Sequence, residues 1–71
     1  MDMTEKYMLD LQRNSYHLQA LYLRAFLESC EAGSPLIIST LKLRDELDAW
    51  YSPIRERLAT LEHPALVVIQ P

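Results

Sequence analysis

The sequence predicts an all-α fold: a helical hairpin with a kinked second helix, or a third short helix, and an extended apolar C-terminal tail. Three observations predict it. Residues 3–32 contain neither Gly nor Pro and are rich in Leu, Ala, Gln, Glu and Arg, which favour helix. The only Gly of the 71 residues stands in Gly33-Ser34-Pro35 near the middle of the chain. Apolar residues recur at three- and four-residue spacing on both sides of that break. A chain this short makes one small domain, 1–71, whose stability as a lone monomer is marginal because it buries too little surface.

The first helix is expected over residues 4–32. Asp2 or Thr4 can cap its start, with Asp2 and Glu5 at capping-box spacing, and Gly33 suits the left-handed position that closes a helix. Ser34-Pro35 then reads as an N-cap followed by Pro at the first helical position, where a missing N–H costs nothing. A second helix over 35–51 follows, although the β-branched run Leu36-Ile37-Ile38-Ser39-Thr40 leaves open a short strand with a later helix start. Lys42 with Glu46 and Arg44 with Asp48 are i,i+4 pairs of a solvated helical surface. Ser52-Pro53 repeats the cap-plus-Pro signature, so the helix kinks or restarts as a helix over 53–62, with Ile54, Leu58 and Leu61 at helical spacing. His63-Pro64 ends the pattern. The tail, 63–71, contains the apolar, β-branched run Leu66-Val67-Val68-Ile69; it is either an added strand or unstructured.

On the first helix Tyr16, Ala20, Leu23 and Leu27 form one stripe. Met8, Leu11, Leu18, Tyr22 and Ala25 form a second, interrupted by Ser15, and Leu21 and Phe26 fill much of the arc between. A short loop makes the second helix return antiparallel, with residue i near 67 − i, so Tyr16 falls near Tyr51 and Leu23 near Leu43 and Arg44. On the second helix Leu36, Thr40, Leu43, Leu47 and Trp50 are expected to face the first. That covers one stripe. Exposing the other would forfeit several kcal/mol, at about 1.5–3 kcal/mol per large side chain. A homodimer pairing the first helices in a four-helix arrangement is therefore expected; closure of the seam by the third helix and tail is the alternative.

Composition narrows the function classes. Seven Lys and Arg against ten Asp and Glu give a formal charge of −3, divided almost evenly between the two halves. With no basic cluster, neither nucleic acid nor an anionic membrane is an expected partner. Cys30 is the only cysteine, which suits a reducing compartment, and no signal-like or membrane-spanning run is visible; a cytoplasmic protein is expected.

No cofactor or metal is expected. His17, His63 and Cys30 have no ligand spacing, Cys30 has no base placed beside it, and one Gly is too few for a phosphate-cradling loop. The Leu-and-charge alternation over 43–58 is weakly similar to helical enzymes of the chorismate mutase type. It offers only Arg44, Arg55 and Arg57 where such a pocket needs a wider polar set, so no family is assigned from it.

The expected function is that of a non-enzymatic protein-binding module, an adaptor, co-chaperone, anti-activator or inhibitor that covers an apolar surface of another protein. The residues expected at the partner or dimer interface are Met8, Leu11, Leu18, Tyr22, Phe26, Trp50 and Tyr51. Trp and Tyr dominate interface hot spots, although Trp50, on the expected core stripe of the second helix, equally suits plugging the hairpin's open end. The alternative is a small enzyme or ligand-binding dimer with an anion pocket at the subunit interface, built from Arg44, Arg55, Arg57 and Tyr16.

Overall fold

The computed structural model describes residues 3–63, which form two long antiparallel helices, α1 (Met3–Ser29) and α2 (Pro35–Glu62). The expected tail therefore lies outside the described residues, except for His63, the C-cap of α2.

α1 starts at Met3, which places Thr4 inside the helix, and ends three residues before the expected 32. The ending is local. The Cys30 N–H donates to the Leu27 carbonyl, only three residues back, and the Ser29 hydroxyl donates to the Phe26 carbonyl at 2.8 Å, so two of the last four carbonyls are satisfied without further turns. Gly33 does adopt the left-handed conformation, φ 83°, but within the connecting turn rather than as the residue closing α1. The Ser34 N–H donates to the Glu31 carbonyl, making Gly33 the third residue of a tight turn, where a positive φ is required in the type II form.

Ser34 caps α2: its hydroxyl accepts from the Leu36 N–H at 3.2 Å, and Pro35 occupies the first turn. Residues 36–40 are helical, which removes the strand alternative, and Thr40 Oγ1 donates to the Leu36 carbonyl four residues back. α2 does not restart at Pro53. It is one helix through Ser52-Pro53, so the expected separate helix over 53–62 is its second half. Pro53 has no N–H for the Ala49 carbonyl, and both residues lie on the exposed side of the helix. What holds the chain helical beyond Pro53 is packing: Ile54, Leu58 and Leu61 continue the stripe begun by Leu47 and Tyr51.

That stripe differs from the expected one. Ile37, Thr40, Leu47, Tyr51, Ile54, Leu58 and Leu61 turn toward α1, while Leu36, Leu43 and Trp50 are exposed. On α1 the expected face is the one used: Tyr16, Ala20, Leu23 and Leu27 are all partly covered. Tyr16 stacks on Tyr51 with ring centroids 4.0 Å apart, as the antiparallel register requires. Among the described residues only Tyr51 (4% exposed) and Leu58 (2%) are fully buried apolar side chains. The open end of the hairpin is tied by charge. Arg57 makes a two-pronged pair with Glu5, and Glu62 lies 3.2 Å from Arg13 and 3.7 Å from Lys6, both of which also hold Asp10.

Candidate interaction surface

The hairpin has two unlike broad sides. One is charged and aromatic. Tyr16 donates its hydroxyl to Asp48 at 2.7 Å, the Arg55 guanidinium stands 5.9 Å from the Tyr51 ring centre, and His17 meets Tyr16 edge-on at 5.4 Å. The hydrogen bond to Asp48, aided by partial burial and the carboxylate's charge, raises the Tyr16 pKa above its ordinary 10.0. A shallow depression on this side is lined by Tyr16, Ala20, Arg24, Leu27, Arg44 and Asp48.

The other side is apolar. A groove between the helices runs past Ser15, Gln19, Leu43, Leu47 and Trp50, with Glu46 as its charged lining residue, and continues over Tyr22 and Leu23. It opens onto the outer face of α1. At about 100° per residue, Asp, Glu, Lys, Arg and His are missing from a continuous arc of that face roughly 140° wide. Glu5, Lys6, Asp10, Arg13, His17, Arg24 and Glu28 all fall on the remaining circumference. The arc is populated by Tyr7, Met8, Leu11, Leu18, Leu21, Tyr22 and Phe26, every one of them exposed, Leu18 by 53% and Tyr22 by 67%.

Of the expected interface residues, Met8, Leu11, Leu18, Tyr22 and Phe26 share this outer face, and Trp50 rims the groove on α2. Tyr51 is displaced from the set. It is buried beneath Tyr16 inside the hairpin and offers nothing to a partner in this arrangement. The last third of α2 packs on the inner stripe of α1 and not over its outer face; the tail, which the single-chain alternative also invoked, lies outside the described residues. Sequence reading passed over Tyr7 and placed Leu43 on the buried stripe of the second helix, whereas it is exposed at the groove. Tyr7, Asn14 and Leu21 at seven-residue steps, and Leu36, Leu43 and Trp50 likewise, were the available signals.

The residues of the expected anion pocket, placed by sequence at a subunit interface, do not converge within the single chain. Arg57 is engaged by Glu5, whose hydrogen bond and charge raise its pKa; Arg55 lies over Tyr51; and the Tyr16 hydroxyl is committed to Asp48. Arg44 and Arg57 stand thirteen residues apart on one helix, about 20 Å of rise. Among the described residues no group of three or more His, Cys, Asp or Glu could hold a metal ion, and no helix is long and apolar enough to cross a membrane.

Comparison of the chain with protein-family models, with curated proteins and with solved structures gave no match in any of the three.

Proposed function

We propose that this chain is a cytoplasmic protein-binding module, not an enzyme, that self-associates as a dimer and covers an apolar helix of another protein. The observation that carries the reading is the uncharged outer arc of α1, continuous with the Trp50 groove. A hairpin with, among the described residues, two fully buried apolar side chains has little stability of its own, and large exposed apolar faces mark interaction sites. Trp50, 42% exposed beside Leu43 and Leu47, has the size and amphipathic character of an interface anchor. Adaptor, co-chaperone, anti-activator and inhibitor roles all use such a surface.

The test is affinity capture from lysate with the wild-type chain, Trp50→Ala and Leu43→Asp, paired with the solution mass of each. A dimer whose captured protein is lost from both variants is the expected result. A chain that is monomeric, or whose captured proteins are the same in all three, overturns the reading.

A further inference from the structure

The outer face of α1 carries a second heptad seam, independent of the one packed on α2. Its positions, from Thr4 to Ser29, advance by alternating steps of four and three residues. We infer that this seam is the interface of a symmetric antiparallel dimer, α1 against α1, with the two-fold axis passing between Ser15 and Leu18. The inference rests on the self-associating reading above and assigns it a surface, an orientation and a register.

Self-complementarity is the first support. In an antiparallel pair centred there, residue i meets residue 33 − i of the second copy. Met8 then meets Ala25, Leu11 meets Tyr22, Leu18 meets Ser15, and Thr4 meets Ser29 at the ends. Every seam position finds another seam position, and Met8 and Leu18, two of the large members, face small ones, as interdigitating layers require. A parallel pair would set Tyr22 on Tyr22 and leave Ser15 against Ser15, with excess bulk in one layer and a void in another.

Polar bookkeeping is the second. The Ser15 oxygen already accepts from Gln19 Nε2 at 2.9 Å, and the Ser29 hydroxyl donates to the Phe26 carbonyl of its own helix, so each of the two seam serines holds a hydrogen bond that pairing need not break. No ionisable side chain lies in the arc apart from the tyrosines, so pairing buries no charge.

Area is the third. The exposed parts of Tyr7, Met8, Leu11, Leu18, Leu21, Tyr22 and Phe26 come to on the order of 700 Å² per protomer; two copies have at most about 1,400 Å² of it to bury, which reaches the range of specific interfaces. The four helices then lie in the order α2, α1, α1, α2. A dyad perpendicular to that row sets both Trp50 grooves on one broad face, with Ser15 and Tyr22 shared between groove and seam.

Sedimentation of the full chain and of Leu18→Asp tests the surface, and spin-label distances test the orientation. On a Cys30→Ser background, labels at Asn14→Cys lie five residues from symmetry and at Glu28→Cys twenty-three. With about 1.5 Å of rise per residue, the label pairs should be close at 14 and separated by about 35 Å or more at 28. The wild-type chain should sediment as a dimer and Leu18→Asp as a helical monomer.

A monomeric wild type removes the self-associating reading and this inference with it. A dimer that survives Leu18→Asp, or shows equal short distances at both positions, overturns the inference alone. Should Leu18→Asp fail to fold, the two distances in the otherwise native chain still decide.

Discussion

The inner and outer sides of α1 run the same length and share a three-four spacing, yet they finish in opposite states. The inner side is the less apolar of the two: it includes Lys6 and Arg13 beside Leu9, Tyr16, Ala20, Leu23 and Leu27, and it is the side α2 covers. The outer side has larger apolar residues, no charge, and no cover among the described residues. Hydrophobicity alone therefore does not select the face a helix buries within its own chain. Complementarity with the returning helix does, here through the Tyr16–Tyr51 stack and the charge pairs at the open end.

The sharpest way to break the contrast is on the inner side. Leu58→Ala should cost about 2–5 kcal/mol, because Leu58 is, at 2% exposed, the most deeply buried apolar side chain among the described residues; chemical denaturation should find the variant largely unfolded. The outer side should behave differently. Leu18→Ala should shift the denaturation midpoint only where the chain is associated, so its effect grows with protein concentration, whereas that of Leu58→Ala persists at high dilution.

Ser34→Ala removes the cap of α2 and should cost about 1 kcal/mol at any concentration. Smallest of all is the pH effect at Tyr16. Its folded pKa is raised, so the contact with Asp48 contributes fully below the unfolded value near 10 and is lost as pH rises through the folded value. The Tyr16 phenol, identified in an ultraviolet titration by comparison with Tyr16→Phe, should ionise at higher pH in the wild-type chain than in Asp48→Asn.

Much of the hairpin was legible because its signals are local. Ser34-Pro35 marked the start of α2, Gly33 the left-handed turn, and the short loop the antiparallel return that brings Tyr16 to Tyr51. The face of α2 was misread for a reason that is also physical. The stripe through Leu36, Leu43 and Trp50 and the one through Ile37 and Tyr51 lie one residue apart, and Arg44 interrupts the second. Ile54, Leu58 and Leu61 settle which is used, but only if the helix is carried through Pro53. Treating Ser52-Pro53 as a break severed that phase from residues 47 and 51. On the candidate surface, the outer stripe of α1 could be read directly because it is a property of one helix. Tyr51 could not be placed, because its burial depends on the stripe that was misjudged.

Pro53 leaves a further trace in how the molecule breathes. With the bond from residue 53 to Ala49 missing, the hydrogen-bond ladder of α2 has a seam of weakness three-fifths of the way along. Residues 54–62 face the opening turns of α1 through Leu58, the Glu5–Arg57 pair and the Glu62 contacts, whereas 35–49 lie toward the turn. The free end can therefore open as one cooperative unit while the turn end stays folded. Amide protons of 54–62 and of the first turns of α1 would then exchange with deuterium together, and ahead of those flanking Gly33.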